Sequence, residues 1–296
     1  MKNPYFITEP AAISFSGGRS SAYMLYKILE AHDGKLRDDT VITFANTGRE
    51  MPETLDFVHE VEAQWNAPIV WLELGDYEQI GIWKSGSKEG MPKYTATTVV
   101  TNYENASRNG EPFERLVKKR NYLPNIMARF CTSELKVLRI RDYLRSHGHN
   151  DWVQYIGIRG DEPRRAVKMH GKTDEGHEMF LPMYLDGTIK QDVHEFWQQQ
   201  PFDLQLYSND GTTDWGNCDL CFLKGGRKKL SLIRERPDLA DWWIKMEAMM
   251  SETTAGSAAR FRNDQPSYKE MQVIATDQPS LFNWDDDDSI PCFCGE

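Results

Sequence analysis

A serine- and glycine-rich stretch near the start of the sequence has the composition of a phosphate-binding loop. It reads S-G-G-R-S-S over residues 16–21, and it joins the apolar run 11–15 to a segment with apolar residues at helical spacing. A loop at a helix N-terminus gathers several backbone N–H groups at one point, which favours a phosphate or pyrophosphate ligand. The hydroxyls of Ser16, Ser20 and Ser21 can add donors, and Arg19 can pair with an anionic oxygen. The alternative is an ordinary strand-to-helix turn with a serine N-cap, which needs no ligand.

The spacing of the cysteines is typical of metal ligands or redox groups and not of a disulfide scaffold. Cys218 and Cys221 form a C-x-x-C, Cys131 stands alone, and Cys292 and Cys294 lie at the C-terminus. A C-x-x-C can be half of a zinc site, a redox dithiol or part of a cluster site. No second C-x-x-C lies nearby to complete a zinc site, so Cys131 is the natural third ligand. Buried core thiols or a zinc site remain the alternatives.

Short apolar runs alternate with helical patterns and predict the framework that positions these groups. Strands are predicted at 11–15, 41–45, 69–74 and 152–158, and helices at 22–29, 52–65 and 134–146. Strands that alternate with helices indicate an α/β fold with a mostly parallel, twisted sheet and helices on both faces. Residues 85–110 are predicted to be a long surface loop, and the tail after Pro266 is predicted to be poorly structured.

Two regions are expected: an α/β nucleotide-binding domain over 1–190, and a mainly helical, cysteine-bearing region with an acidic tail over 191–296. The 296 residues carry a formal net charge of −10, with four consecutive aspartates at 285–288. That balance does not favour a general nucleic-acid binder, although a local basic groove is compatible with it. No secretory signal and no run of membrane-spanning length are visible, so the expected location is the cytoplasm.

Four segments, in order along residues 11–165, resemble those of the PP-loop ATP pyrophosphatases and the phosphoadenylyl-sulfate (PAPS) reductases, which share the adenine nucleotide alpha hydrolase fold. They are the S-G-G-R-S-S loop, N-T-G-R-E at 46–50, R-F-C-T-x-x-L-K at 129–136 and G-I-R-x-D-E at 157–162. Many members of this superfamily carry Asp where this chain has Ser20. The resemblance implies nucleotide-binding roles for Ser14, Ser16, Gly17, Gly18, Arg19, Ser20, Ser21, Asn46, Thr47, Gly48, Glu50, Gly157, Arg159 and Arg165. It implies catalytic roles for Arg19, Lys136, Arg159 and Asp161.

Cys131 together with the downstream C-x-x-C resembles the branch that acts in DNA phosphorothioation, whose cysteines hold a [4Fe–4S] cluster. The implied ligands here are Cys131, Cys218, Cys221 and, for the fourth position, Cys294, with Cys292, a non-cysteine ligand or an open iron as alternatives. The expected enzyme binds ATP with Mg²⁺, adenylates its substrate and transfers sulfur from a sulfur donor. A nucleic acid is one candidate acceptor, and an oligomer is compatible with the sequence. The rivals are a PAPS or adenylyl-sulfate reductase and a non-catalytic nucleotide-binding accessory protein.

Overall fold

A central β-sheet organises the chain. The computed structural model describes residues 3–169, 171–172, 177–209, 212–213, 215–216, 218–253 and 259–277. Within these ranges the main sheet has the strand order β4-β3-β2-β1-β5-β7-β6. Its strands are β1 (Ala11–Ser14), β2 (Thr40–Ala45), β3 (Ile69–Ile82), β4 (Pro92–Thr101), β5 (Val153–Ile156), β6 (Gly171–Lys172) and β7 (Glu178–Phe180), and a small separate hairpin is formed by β8 (Ser208–Asn209) and β9 (Thr212–Thr213).

The middle of the main sheet is parallel and its two edges are antiparallel. β1 pairs in parallel with β2 on one side and β5 on the other, and the parallel pairs β2–β3 and β5–β7 extend the sheet both ways. β4 and β6 close the edges in antiparallel pairing. The strand order therefore reverses between β1 and β5, and in open α/β sheets ligands bind at the carboxyl ends of strands at such a point.

Helices cover both faces of the sheet, which confirms the predicted α/β class. Alternate residues of a strand point to opposite faces. Ala11 and Ile13 belong to the main core cluster, whereas Ala12 packs with Leu144 and Trp152 in a second cluster. The helices are α1 (Arg19–Ala31), α2 (Pro52–Trp65), α3 (Glu111–Arg120), α4 (Phe130–Thr132), α5 (Leu138–Ser146), α6 (Pro163–Met169), α7 (Pro182–Asp186), α8 (Lys190–Gln198), α9 (Gly226–Glu235), α10 (Ala240–Thr253) and α11 (Tyr268–Asp277).

Four predictions about elements need correction. The predicted loop 85–110 contains β4, and β3 runs eight residues beyond the predicted end at residue 74. The tail after Pro266 begins with α11, which packs on α9 and α10. The predicted helix 134–146 is interrupted, since residues 133–137 form a π-helical turn between α4 and α5.

One main core joins the two predicted regions. Phe57 of α2 packs on Trp197 of α8 with ring centroids 5.1 Å apart, and Phe113 of α3 lies 5.1 Å from the Trp242 ring of α10. Trp242 and Trp243 are buried. The boundary near residue 190 stays a prediction. Across the described ranges, no helix combines the length and the apolar composition that crossing a membrane requires.

Candidate functional site

The S-G-G-R-S-S loop lies where the sequence predicts it, between the end of β1 and the start of α1. Gly17 has φ +79°, and a Cβ there would meet Thr54 Cγ2 of α2 at 2.7 Å. Both the backbone conformation and the close approach of α2 thus require glycine. Gly18 is the N-cap of α1, and no side chain caps the helix there. The first N–H groups of α1 are therefore left available to an anion.

Three serines at the loop form hydrogen bonds within the protein. The hydroxyls of Ser16 and Ser21 share a 2.9 Å hydrogen bond, and Ser21 Oγ also donates to the Gly18 carbonyl at 2.9 Å. Gln154 Nε2 donates to Ser14 Oγ at 2.6 Å. These bonds stabilise the conformation of the loop, so the hydroxyls of Ser14, Ser16 and Ser21 are engaged within the protein.

The guanidinium of Arg19 is engaged by groups of the protein itself. Its guanidinium donates to both carboxylate oxygens of Asp203, at 2.6 and 2.8 Å, to the Leu204 carbonyl at 2.7 Å and to Thr213 Oγ1 at 2.8 Å. Four of its N–H groups are thereby satisfied by protein. As placed, Arg19 attaches the loop to residues 203–213, and this geometry suits a positioning role.

The segment after β5 approaches the loop from the neighbouring strand. A Cβ on Gly157 would lie 3.0 Å from Ser21 Cα, so the absence of a side chain lets the strand end pack against the first turn of α1. Arg159 Nη1 donates to Ser20 Oγ at 3.1 Å. The structure thus brings Gly157, Arg159 and the loop together at the point where the strand order reverses.

Acidic neighbours surround Arg159. Its Nε donates to Asp161 Oδ1 at 2.9 Å, and its backbone N–H donates to Glu162 at 3.1 Å. Glu162 also pairs with Arg165. Asp161 and Arg165 are therefore held in an ion-pair network around Arg159, and an anionic ligand would compete with these carboxylates.

A cleft runs from the loop along the face of the sheet that α5 covers. We call it the loop cleft; its walls include Ser14, Ser16, Ser21, Thr132, Lys136 and Gly157. Its floor is formed by Trp152, Gln154 and Met179, next to α5. The cleft includes the carboxyl ends of β1 and β5, where Ser14, Ile156 and Gly157 line it, and this is the position expected for a nucleotide in such a sheet.

Asn46, Thr47, Gly48 and Glu50 lie after β2, and their side chains mainly support the chain around them. Asn46 Nδ2 donates to Glu73 at 2.6 Å, and its Oδ1 accepts from the Gly48 N–H at 2.9 Å. Glu50 accepts from the N–H and the hydroxyl of Thr47, each at 2.9 Å. Thr47 lines the cavity described next, and among these four residues none lines the loop cleft.

Cys131, Cys218 and Cys221 line one common cavity, as the sequence predicts. Thr47, Thr132, Lys136 and apolar side chains from Phe113, Phe222 and Trp243 complete its walls, and we call it the cysteine cavity. Thr132 and Lys136 line both this cavity and the loop cleft. The two sites are therefore adjacent, separated by the turn that follows Cys131.

The surroundings of Cys218, burial above all, favour its protonated form. Burial raises the pKa of the Cys218 thiol well above its ordinary value, the Glu50 carboxylate raises it further, and the Lys136 ammonium opposes both. Glu50 Oε1 is buried without a hydrogen bond and lies 3.5 Å from Lys136 Nζ. A metal ion or another cation in the cavity would reverse this balance and favour the thiolate.

The donor atoms suit a metal centre, but their spacing does not. Thiolates are ligands of zinc and of iron–sulfur clusters. Within the described residues, however, no group of three or more His, Cys, Asp or Glu side chains could hold a metal ion as placed. The cavity encloses about 20 Å³, room for about one water. Cys294 and Cys292 lie outside the described residues.

Three acidic residues that hold the site together were missed by sequence reasoning. Asp203 binds Arg19, Glu73 binds Asn46, and Asp219 accepts from Arg49 and from Trp243 Nε1, the latter at 2.9 Å. Asp219 lies inside the C-x-x-C, and this position could have indicated that it is buried. Asp203 and Glu73 carry no local signal, because their partners are distant in sequence.

Comparison with known proteins gives one clear relationship. No family model matches the chain. The uncharacterized nin region protein ORF290 of Escherichia phage lambda is 33% identical over 217 residues, which cover 73% of this chain and 67% of that protein. The uncharacterized protein MJ0066 of Methanocaldococcus jannaschii is 24% identical over 257 residues, 85% of this chain and 44% of that protein. The chain thus spans about two thirds of the first relative and less than half of the second.

Among solved structures, a PAPS reductase from Candida auris in a phosphate complex shares 13% identity, with a TM-score of 0.38 over 67% of this chain and 75% of that chain. A TM-score this low carries no argument about this chain. The sequence relationship does carry one: the chain belongs to the family of the phage lambda nin region protein ORF290.

Proposed function

We propose that this protein is an enzyme that binds an adenine nucleotide in the loop cleft and carries out sulfur chemistry at the adjoining cysteine cavity. The observation that carries the proposal is that Thr132 and Lys136 line both spaces. A nucleotide bound at the loop and a group handled by the cysteines would be neighbours. The order of the four resembling segments, and their meeting at the carboxyl ends of β1, β2 and β5, support the PP-loop superfamily.

The phosphates of ATP would bind at the uncapped N-terminus of α1. The backbone N–H groups there and the Ser20 hydroxyl would be donors, and the Arg159 guanidinium would join them where a phosphate displaces its carboxylate partners. A substrate oxygen would attack the α-phosphorus, the bond to the bridging oxygen would break, and pyrophosphate would leave. Mg²⁺ would neutralise charge on that leaving group. Arg19 would hold the loop by its bonds to Asp203, and Lys136 would face both ligands.

Nucleotide affinity tests this first part. Arg159→Gln should weaken ATP binding about tenfold or more in titration calorimetry, because it removes the cation beside Ser20. Arg164→Gln is the matched control, since Arg164 is an exposed arginine in the same segment and should leave the affinity unchanged. Tighter binding of PAPS than of ATP would favour the reductase alternative. Absence of binding by either nucleotide would overturn the proposal.

For the second part, we propose that Cys131, Cys218 and Cys221 hold a [4Fe–4S] cluster, with Cys294 or a non-cysteine group at the fourth iron. The support is the set of three thiols at one cavity; the cavity would have to open to accept the cluster. When bound, such a cluster would supply a site for sulfur or for electrons.

Iron and acid-labile sulfide content, measured on protein purified without oxygen, tests the cluster. About four irons per chain are expected, and they should be lost in Cys131→Ser and Cys221→Ser variants. A Cys294→Ser variant that keeps all its iron would remove Cys294 as the fourth ligand. Zinc alone, or no metal, in the wild-type protein would contradict the cluster while leaving the nucleotide proposal standing.

A further inference from the structure

The distal part of the β3–β4 hairpin is exposed along its whole length. We call residues 79–95 the arm. Every residue in this range is exposed, including the apolar side chains Ile80, Ile82 and Met91, each more than half exposed. An isolated two-stranded hairpin is at best marginally stable in water, so these exposed apolar side chains suit an interaction surface.

The arm combines aromatic rings with positive charge. Trp83 is 39% exposed and Tyr94 is 44% exposed. The ammonium of Lys93 lies 5.1 Å from the centre of the Trp83 ring, and that of Lys88 lies 5.8 Å from it. With Lys84, the arm has three lysines and a single acidic residue, Glu89, in a chain whose net charge is −10. The arm is therefore a basic, aromatic element on an acidic protein.

The ring of Tyr94 also has a lysine ammonium over it, from a neighbouring helix. Lys119 of α3 lies 3.5 Å from the centre of the Tyr94 ring and 5.2 Å from that of Tyr77. The register pairs Gly81 with Lys93 and Ile82 with Pro92. Because alternate residues share a face, Trp83 and Lys93 lie on one face of the arm and Tyr94 lies on the other. Each face thus offers one ring next to ammonium groups.

The base of the arm is fixed, so the distal part is held in a defined direction. Arg139 of α5 donates to the carbonyls of Ala96 and Thr97, at 3.1 and 2.8 Å, and to Thr98 Oγ1 at 2.8 Å. Arg115 of α3 donates to the Leu74 carbonyl at 2.7 Å. These bonds tie both strands to helices just before they leave the sheet.

The direction of the arm places it beyond the carboxyl ends of the parallel strands. β3 is parallel to β2, whose last residue, Ala45, pairs with Leu72. β3 then continues to Ile82, and at ~3.3 Å per residue this carries the arm roughly 30 Å past the carboxyl ends of β1 and β2. A polymer bound along the arm would therefore lie on the side of the molecule that holds both cavities.

We propose that the arm binds single-stranded nucleic acid, with bases stacked on Trp83 and Tyr94 and phosphates paired with Lys84, Lys88 and Lys93. Stacking on aromatic rings beside lysines is how proteins bind single strands without reading their sequence. A duplex keeps its bases stacked on each other, so it cannot use these rings in this way. The proposal uses no residue of the loop cleft or cysteine cavity and stands or falls independently of them.

Fluorescence anisotropy with labelled oligothymidine and oligouridine of about 20 nucleotides tests the proposal on the full chain. Trp83→Ala and Tyr94→Ala should each weaken binding about tenfold or more, since base–aromatic stacking has that size. The triple variant Lys84→Ala, Lys88→Ala, Lys93→Ala should reduce the slope of log affinity against log salt by about 2, at ~0.7 per phosphate contact. The two oligonucleotides together separate DNA from RNA preference.

Phe6→Ala and Lys35→Ala are matched controls, because each removes an exposed ring or an exposed lysine outside the arm, and both should bind like wild type. ATP affinity should be unchanged in all arm variants, which separates this test from that of the nucleotide site. No saturable binding by wild type, or wild-type binding by the Trp83→Ala and Tyr94→Ala variants, would overturn the proposal. So would a result in which these variants alter only self-association in sedimentation, because the arm would then contact a second copy of the chain.

Discussion

Two separate constraints meet at Gly17, the residue that shapes the candidate phosphate loop. Its φ of +79° disfavours any side chain, and a Cβ would also press on Thr54 of α2. Gly34 has nearly the same φ, +77°, but a Cβ there would meet nothing within 4 Å. The two glycines therefore allow backbone strain and steric contact to be measured apart.

We expect Gly34→Ala to lower the free energy of unfolding by about 1 kcal/mol, the cost of the left-handed conformation alone. Gly17→Ala should cost about 2–4 kcal/mol, because overpacking against α2 adds to it. Urea denaturation of both variants gives the comparison. Equal losses would mean that α2 moves away without cost and that the loop is less tightly packed than it appears in the structure.

The Arg49–Asp219 pair is the buried counterpart of many exposed pairs in this protein. Burial raises the pKa of the Asp219 carboxyl, and Arg49 opposes that shift. Asp219→Ala should lower the free energy of unfolding by about 3–5 kcal/mol, because it leaves the Arg49 charge buried and unpaired. Asp238→Ala, which breaks the exposed pair with Arg236, should cost less than about 1 kcal/mol. Chemical denaturation checks both, and similar losses would show that water reaches Arg49 once Asp219 is removed.

At the scale of single residues, local spacing predicted where the loop lies, and the roles of the site residues stay predictions. The Ser-Gly-Gly turn lies between β1 and α1 as predicted, and Cys131 does meet the C-x-x-C. The partner of Arg19 was out of reach, because Asp203 lies 184 positions away and nothing near either residue indicates the pair. The packing of helices and strands determines which distant residues form ion pairs. The periodicity of the sequence does not predict that packing.

Among the elements, those buried on both sides were predicted and the exposed edge was not. β1, β2 and β5 are short apolar runs, which is the pattern of strands covered on both faces. β4 contains Thr, Lys and Tyr and is mostly exposed, so it lacks the apolar signal and was predicted as loop. Its pairing with β3, and the hydrogen bonds from Arg139, are what make it a strand.

Arg139 therefore gives an element-scale prediction. Arg139→Gln should speed amide hydrogen exchange in β4 while leaving β1 protected, because the guanidinium no longer ties residues 96–98 to α5. Mass spectrometry of peptides from the two strands provides the comparison within one sample. Arg145→Gln, at an exposed position on the same helix, serves as control. Faster exchange in both strands would show that Arg139 supports the whole fold and not the edge alone.

Taken as a whole, the described chain is held by one main core that includes residues from Tyr5 to Ala275. A nucleotide-binding domain ending at 190 and a separate region after it would be expected to unfold in two steps. With a shared core we expect one cooperative step, in which far-ultraviolet circular dichroism and tryptophan fluorescence change together with urea. Two resolved transitions would support the boundary predicted from the sequence.

The π-helical turn at 133–137 also has a consequence for the lineage of this protein. A π turn holds one residue more per turn than an α turn, and single π turns often occur at functional sites. Deleting one residue there would restore α-helical bonding and leave the facing of Cys131 relative to α5 nearly unchanged, because the π turn takes up the extra residue within one turn. Homologues can therefore lose one residue between Cys131 and Leu144 and still keep the cysteine cavity. In such a homologue we expect the segment that matches residues 133–137 to be regular α-helix, with the cysteine still beside the cleft.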